Sequence, residues 1–127
     1  MILVDTSIWI DLLSKKPSFK VSEEDYLSFA TCGPIIQEIL QGLKDPQVSK
    51  NLKEIFLALT CLDPNVPCQR YVQAAEIFRL GRSRGYTIRS SVDCLIAAIA
   101  IHNDVPVWHR DRDFSNICRF TTLLEQS

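Results

Sequence analysis

Five carboxylate side chains occupy positions from which they could act together on a phosphate ester. They lie just after predicted strands or in the early turns of predicted helices, and they are Asp5, Glu38, Asp93, Asp111 and Asp113. The two strands in question are the short apolar runs at residues 2–4 and 105–108, which are typical of strands buried on both faces. In an open parallel sheet the functional crevice lies at the carboxyl ends of the strands, so the acids are expected to converge there.

The chemistry expected of such a cluster involves a cation. Acids that share one site repel each other, and their pKa values rise until some are neutral unless a cation compensates. Oxygen ligands suit hard ions such as Mg²⁺ or Mn²⁺, which use substrate phosphates as further ligands. The sequence has no Walker, Gly-x-Ser-x-Gly or Gly-x-Gly-x-x-Gly motif, and no cluster of Cys and His residues that would suggest zinc. The acids therefore predict phosphate chemistry with a divalent cation.

Each acid taken singly also has a purely structural explanation. The helix dipole alone favours Asp93 in a first turn, and Asp5 could simply cap the helix that follows it. Glu38 could face water on an amphipathic helix, and Asp111 and Asp113 alternate with arginines in what could be a solvated ion-pair loop. The functional interpretation gains from position, because four separate segments place acids at one predicted edge.

The elements that must position these acids alternate along the chain. Strands are predicted at residues 2–4, 28–32, 60–62 and 105–108. Helices are predicted at residues 7–13, 33–43, 45–59, 67–84 and 90–101, followed by a last helical turn and strand at about 114–124. This alternation predicts an α/β fold with a parallel sheet and helices on both of its faces.

Length and composition predict one globular domain over residues 1–127. Hydrophobic residues make up 46% and charged residues 23%, and 14 Lys and Arg nearly balance 15 Asp and Glu. No global field therefore draws the chain to nucleic acid or to a membrane, and no apolar stretch is long enough to span a bilayer. The N-terminus lacks a basic leader and the five cysteines are scattered, so a cytoplasmic protein with small buried thiols is expected.

Four short motifs, in one order along the chain, match a known family. They are ILVDTS at residues 2–7, PIIQEILQG at 34–42, SVDCLIAA at 91–98 and DRDF at 111–114. By these motifs the sequence resembles, over essentially its whole length, the PIN domain ribonucleases and specifically the VapC-type toxins of type II toxin–antitoxin modules. The resemblance implies a three-layer α/β/α fold and an endoribonuclease that uses Mg²⁺, or Mn²⁺, to activate water, leaving a 5′-phosphate and a 3′-hydroxyl.

The resemblance also assigns roles to the acids. Asp5, Glu38 and Asp93 match the principal acids of the family, and either Asp111 or Asp113 supplies the fourth. Asp111 is favoured because it comes first after the strand, with Asp113 in support. The metal ligands implied in this way are Asp5, Asp93 and Asp111.

Three further residues are expected to support the acids. Thr6 and Ser7 match the small hydroxyl residues that in such sites orient Asp5 or bind water. His109 stands where family members commonly carry Thr or Ser, so the hydrogen bonding beside the fourth acid is expected to differ here.

The arginines are distributed unevenly. All eight lie at or after position 70, whereas all six lysines lie at or before position 53. Arginine suits phosphate because its planar fork matches phosphate geometry, so the stretch that leads to Asp93 is a candidate contact for the RNA backbone. The residues in question are Arg79, Arg82, Arg84 and Arg89, for which a solvated helix face is an equally good explanation.

The implied partners are an RNA substrate, a cognate antitoxin protein and a second copy of the chain in a homodimer. Apolar helix faces around Trp9 and at residues 36–43 and 55–59 are candidate surfaces for these proteins, although core packing explains them as economically. Three other functions stay open at this point. They are an RNA-processing nuclease without an antitoxin, a non-catalytic RNA-binding module, and an aspartate-based phosphohydrolase, which is disfavoured because Ser7 stands where a second Asp is expected.

Overall fold

The computed structural model describes residues 1–126, which build a five-stranded parallel sheet in the order β3-β2-β1-β4-β5. The strands are β1 Ile2–Val4, β2 Phe29–Thr31, β3 Thr60–Cys61, β4 Val107–Trp108 and β5 Glu125–Gln126. Leu3 of β1 is paired with Ala30 on one side and with Val107 on the other. The central strand therefore ends next to β4, and this brings the two segments that carry acids side by side.

Six α-helices connect and cover the strands, and a 3₁₀ turn at Asp25–Ser28 precedes β2. The helices are α1 Thr6–Leu12, α2 Gly33–Gly42, α3 Pro46–Ala58, α4 Cys68–Ser83, α5 Ser91–His102 and α6 Arg112–Phe120. The α/β architecture with a parallel sheet, predicted from the alternation of elements, is confirmed.

Three of the helices begin at polar side chains that belong to the acidic edge of the sheet. Asp5 caps α1 by accepting from the backbone N–H of Ser7, and Asp111 caps α6 by accepting from that of Asp113. Ser90 caps α5 by accepting from the N–H of Asp93. The structure thus shows the capping role of Asp5 and Asp111, and this role places both acids where a strand reaches that edge.

Helix α5 forms the centre of the core, as its uncharged sequence predicts. Its residues from Ile96 to Ala100 are all buried, and so is Asp93 at its start. Trp9 and Trp108 are also buried, which confirms their prediction as core residues. The packing of these buried residues fixes the position of Asp93, whereas Val92 on another face of α5 is 37% exposed.

Two details differ from the sequence-based expectations. The last helix, α6, is more than one turn long, and β5 follows at residues 125–126, beyond the predicted strand. Cys32 and Cys94 are buried as expected, but Cys68 is exposed because it opens helix α4 at the surface. None of the helices formed by residues 1–126 combines the length and apolar character needed to cross a lipid bilayer.

Candidate active site

The five acids meet at the carboxyl edge of the sheet. Asp5 follows β1, Asp111 and Asp113 follow β4, Asp93 lies in the first turn of α5 and Glu38 in α2. The negative charge of Asp111 acts on Asp5, Glu38 and Asp93, which places all four in one electrostatic environment. The structure thus brings together acids that lie up to 108 positions apart in the sequence.

Three of these acids are close enough to hold one ion. One carboxylate oxygen from each of Asp93, Asp111 and Asp113 lies within 4.8 Å of the other two. The donors are all oxygens, which suits Mg²⁺ or Mn²⁺ and does not suit zinc, whose usual ligands are Cys and His. The residues present therefore fit a hard divalent cation.

The acids are held in a state that disfavours their charges. Burial, followed by repulsion from Asp111, Asp5, Asp113 and Glu38, raises the pKa of Asp93 to about 8. Burial also raises the pKa of Asp5, even though hydrogen bonds from Ser7 oppose the change. Burial and the nearby Asp5 raise the pKa of Glu38. A cation in the pocket would remove the repulsion that produces part of these shifts.

Thr6 and Ser7 bind the acids directly. The Ser7 hydroxyl donates to Oδ2 of Asp5 at 2.8 Å, and the Ser7 backbone N–H donates to the same oxygen at 3.2 Å. The Thr6 hydroxyl donates to Oε1 of Glu38 at 3.4 Å. Ser7 Oγ in turn accepts from the backbone N–H of Arg110 at 3.1 Å, so one hydroxyl joins the segment after β1 to the segment after β4.

The carboxylates of Asp111 and Asp113 accept hydrogen bonds from different backbone N–H groups. Oδ2 of Asp113 accepts from the backbone N–H groups of Arg89 and Ser90, both at 3.0 Å, and thereby ties the start of α6 to the start of α5. Oδ1 of Asp111 accepts from the Asp113 N–H at 2.8 Å. Within residues 1–126, Oδ2 of Asp111 accepts no hydrogen bond, so it is free for a ligand.

His109 is buried beside Asp111 and uses both ring nitrogens. Its Nδ1 accepts from the backbone N–H of Asp111 at 3.0 Å, and its Nε2 lies 2.7 Å from Oε2 of Glu125. Since Nδ1 accepts, the ring hydrogen is on Nε2 and is donated to Glu125. Oε2 of Glu125 also accepts from the Ser115 hydroxyl at 3.2 Å.

Glu125 is a residue that the sequence analysis missed. It lies 16 positions after His109, on β5, and only the pairing of β5 with β4 brings the two together. No local motif in the sequence signals this contact, because it depends on the order of strands in the sheet.

The predicted RNA-binding arginines are divided by the structure. Arg89 lines a pocket of about 340 Å³ at the acidic cluster, together with Ser7, Ser90, Asp93, Arg110, Asp111, Arg112 and Asp113. Arg79 instead lines a groove between α4 and α5, Arg82 lies over the ring of Phe78, and Arg84 is exposed just after α4. Arg110 and Arg112, which alternate with Asp111 and Asp113 in what could have been a solvated ion-pair loop, both line the acidic pocket.

Comparison of the sequence with models of known protein families identifies a family to which this chain belongs. The sequence model of the PIN domain matches residues 2–120, so the chain belongs to the PIN domain family.

Individual relatives with similar sequences indicate the type of PIN domain protein that this chain resembles. The chain is similar to VapC ribonuclease Mb1587 of Mycobacterium bovis and to ribonuclease VapC11 of Mycobacterium tuberculosis, with 37% identity over 129 aligned residues in each case. These alignments cover 97% of this chain and 96% of each relative. The resemblance to VapC-type PIN domain ribonucleases, seen in four sequence motifs, is thereby confirmed.

A solved structure shows the same fold. The chain is similar to VapBC2 from Rickettsia felis, solved bound to a DNA fragment from its promoter, with a TM-score of 0.72 and 22% identity. The match covers 99% of this chain and 98% of that chain. At this identity the likeness concerns the fold, and it agrees with the α/β/α architecture that the family resemblance implies.

Proposed function

We propose that this protein is the toxin of a type II toxin–antitoxin module and that it cuts RNA phosphodiesters as a Mg²⁺-dependent endoribonuclease. One observation carries the proposal: acids from four segments converge at the carboxyl edge of the sheet, around a pocket lined by Asp93, Asp111 and Asp113, and the pKa of Asp93 rises there to about 8. A pocket built in this way is unfavourable for its own charges until a cation enters it. The 37% identity to two proteins named as ribonucleases supports RNA as the substrate.

Asp5, Asp93 and Asp111 are proposed to hold the ion, which is Mg²⁺ or Mn²⁺. Asp93 and Asp111 belong to the cluster of three close carboxylates, and Asp5, outside that cluster, is near enough for its charge to repel those of Asp93 and Asp111. When bound, such an ion lowers the pKa of a water molecule and neutralises charge that develops on the phosphate. Asp111 contributes the oxygen that the α6 cap leaves free. In the described part of the chain, Asp113 also has one oxygen without a hydrogen bond, but its other oxygen joins the start of α6 to the start of α5 through two backbone N–H groups, and it comes second after β4. Asp113 is therefore proposed as a supporting residue.

The remaining polar groups are proposed to orient water and carboxylates. Ser7 holds Oδ2 of Asp5 through two hydrogen bonds, which sets the direction of the other oxygen. Thr6 does the same for Glu38 through Oε1, and Glu38 completes the acidic set that faces the phosphate. His109 fixes the backbone of Asp111, because its Nδ1 accepts the hydrogen bond from the Asp111 N–H. No side-chain nucleophile is required, because water is the attacking group.

Arginines are proposed to bind the RNA backbone around this pocket. Arg89 and Arg112 line it, and within residues 1–126 neither guanidinium has a hydrogen-bonding partner, so both are available to phosphate oxygens. Arg79, Arg82 and Arg84 do not line the pocket. Arg79 lines the groove between α4 and α5 instead, and we propose that Arg82 and Arg84 contact a longer RNA beyond the cut site.

Two protein partners are proposed, each on a separate apolar surface. The antitoxin would cover exposed apolar residues of α1 and α3, where Ile10 is 62% and Leu57 is 88% exposed. A second copy of the chain would cover the apolar groove of about 480 Å³ between α4 and α5, where Tyr71 is 54% exposed. Residues 1–127 would act as one domain, in the cytoplasm where both RNA and antitoxin are found.

The partner surfaces can be tested against each other. Leu57→Glu is expected to abolish antitoxin binding and keep the homodimer, and Tyr71→Glu is expected to do the opposite. Co-purification and analytical ultracentrifugation report on the two contacts. Loss of both contacts in either variant would contradict the assignment.

The nuclease proposal is tested by incubating protein free of antitoxin with structured RNA, with Mg²⁺, with Mn²⁺ and with EDTA. Asp5→Asn and Asp93→Asn should lose cleavage, while Asp104→Asn should keep it. Asp104 is a matched control because it is exposed beyond the end of α5, and its positive φ of 55° suits Asn equally well. Cleavage that survives EDTA, or both active-site substitutions, would contradict the mechanism.

The toxin role is tested separately in growing cells. Expression of the wild type should arrest growth, and co-expression of a cognate antitoxin should restore it. Cells that grow normally while the purified protein cuts RNA would indicate a processing nuclease without an antitoxin.

A further inference from the structure

A second groove continues from the acidic pocket on the other side of the loop at residues 110–112. It measures about 560 Å³ and is lined by Phe19, His109, Arg110, Asp111, Arg112, Ser115 and Glu125. Arg110, Asp111 and Arg112 also line the acidic pocket, so the two cavities share a wall. A chain that crosses the acidic pocket can therefore extend directly into this second groove, which we call the base groove.

Arg110 is held in one position at the wall between the two cavities. Its Nη1 donates to Oδ2 of Asp11 at 2.6 Å, and its Cζ lies over the ring of Phe19, 4.8 Å from the centroid. The Arg110 side chain is nevertheless 48% exposed. The guanidinium is thus anchored on one side and open on the other.

The groups that hold Arg110 are themselves fixed. Asp11 also accepts from the backbone N–H of Ser18 at 2.7 Å and from its hydroxyl at 2.9 Å. The ring of Phe19 packs edge-on against Trp108, with centroids 4.9 Å apart. Because these contacts already restrict the guanidinium, it loses little conformational entropy when a ligand binds to its exposed side.

The charges of the base groove select the kind of ligand. The carboxylates of Glu125 and Asp111 balance the charges of Arg110 and Arg112 in its lining, so the groove has no excess of positive charge for a second phosphate. A nucleobase is neutral and flat, and guanidinium planes and aromatic rings are the surfaces on which unstacked RNA bases bind. Phe19 and Arg110 together supply such a surface.

We propose that the base groove holds one unstacked nucleobase of the RNA, next to the phosphate that is cut, with Arg110 as its stacking surface. Asp11 and Phe19 are positioning residues in this account because they act through Arg110. The inference rests on the proposed nuclease function, since it takes the phosphate in the acidic pocket as the neighbour of this base.

The experiment changes the RNA as well as the protein. Binding of a single-stranded RNA of about 12 nucleotides spanning the mapped cut site is measured with Asp93→Asn protein, which is expected to hold RNA without cutting it. The same RNA is then tested with one base at a time removed to leave an abasic site, at the two positions on either side of the cut. The affinities are compared for Asp93→Asn alone and for Asp93→Asn combined with Arg110→Ala or Arg110→Lys.

One abasic position should weaken binding to Asp93→Asn protein about tenfold, the loss of a single base–side-chain stack of about 1.4 kcal/mol. Arg110→Ala should weaken binding of intact RNA to the same extent and be indifferent to that abasic site. Arg110→Lys keeps the positive charge and should behave like Arg110→Ala, whereas the exposed α3 residue Lys53 changed to Ala should not alter the affinity.

The proposal is overturned if no abasic position weakens binding, or if the weakening is the same with and without Arg110. It is also overturned if Arg110→Ala disrupts the complex with the antitoxin and leaves RNA binding intact, because the groove would then belong to a protein. The abasic arm compares different RNAs on the same Asp93→Asn protein, so misfolding of a variant cannot produce its result. Cleavage of intact RNA by the wild type with Mg²⁺ tests the nuclease function independently of this outcome.

Discussion

The backbone N–H of Asp111 donates to Nδ1 of His109 at 3.0 Å, and this bond fixes which nitrogen of the buried ring carries its hydrogen. The hydrogen on Nε2 is then directed to Glu125, 2.7 Å away. Glu125 on β5 therefore reaches the backbone of an acid in the pocket through one imidazole ring. Partners of this kind orient the groups that bind a metal, and their loss typically lowers metal affinity about 10- to 100-fold.

Glu125→Ala should weaken Mn²⁺ binding about tenfold, because the His109 ring loses the acceptor that fixes its orientation. Glu125→Gln should stay within about threefold of the wild type, since an amide oxygen can still accept from Nε2–H. Ser115→Ala is the matched control, as its hydroxyl contacts Glu125 but not His109. Calorimetric titration with Mn²⁺ gives the affinities, and equal losses in the Ala and Gln variants would show that the charge of Glu125 matters instead.

Asp93 makes the metal-free protein less stable as the pH rises. Its pKa is about 8 in the folded chain against 3.8 for an unperturbed Asp. Between these values the unfolded chain has lost the proton and the folded chain retains it, so the free energy of unfolding falls with increasing pH and the loss is complete above about pH 8.

Asp93→Asn should therefore stabilise the metal-free protein by about 2 kcal/mol at pH 8, and by almost nothing at pH 4. This figure is less than half of what full linkage would give for a pKa that rises from 3.8 to about 8, at roughly 1.4 kcal/mol per pKa unit. The reduction allows for screening of the charges by water that reaches the pocket. Urea unfolding in EDTA at both pH values measures the effect, with Asp104→Asn as control. An Asn variant that is no more stable than the wild type at pH 8 would contradict the charge repulsion described here.

The arginines at the pocket rim should govern binding of short RNA. Arg112→Gln and Arg89→Gln should each weaken binding of a short single strand about three- to tenfold, and each should reduce the slope of log affinity against log salt by about 0.7. Arg84→Gln should have this effect only on RNA long enough to extend past the pocket. Fluorescence anisotropy across a salt series measures both quantities, and an unchanged salt slope in Arg112→Gln would refute a phosphate contact.

Gly81 marks a close approach of α4 to α6. A Cβ at this position would lie 2.8 Å from Cζ of Phe120 and 3.4 Å from Cγ1 of Ile88, so the Phe120 ring would have to move. Gly81→Ala is expected to destabilise the protein by about 1 kcal/mol, since overpacking outweighs the better helix propensity of Ala. Gly42→Ala has open space and should be neutral or slightly stabilising, so equal thermal unfolding temperatures for the two variants would contradict the packing.

Local signals in the sequence were sufficient to predict most of the elements. The caps Asp5 and Ser90 act within three residues, and the strands predicted at residues 2–4 and 28–32 correspond to β1 and β2. The buried helix α5 followed from the lack of charge at residues 94–101. These features depend on near neighbours in the chain, which is why a sequence alone reveals them.

Features that depend on the order of strands were not predictable in the same way. Strands β4 and β5 have two residues each, so neither pattern nor length shows that they pair. The contact of Glu125 with His109 and the shared wall at Arg110 both depend on that pairing or on the packing of the 110–112 loop against α1. Which arginines line the acidic pocket and which lie along α4 could likewise not be predicted from the sequence, because it depends on how the elements pack in three dimensions.

The most direct measurement of the central claim is anomalous X-ray scattering from crystals of the full chain soaked in Mn²⁺. The account predicts one strong anomalous peak, or two adjacent peaks, at about 2.2 Å from carboxylate oxygens of Asp93 and Asp111, and no peak there in Asp93→Asn crystals. Manganese bound elsewhere on the protein, with these carboxylates left without an ion at saturating Mn²⁺, would contradict it.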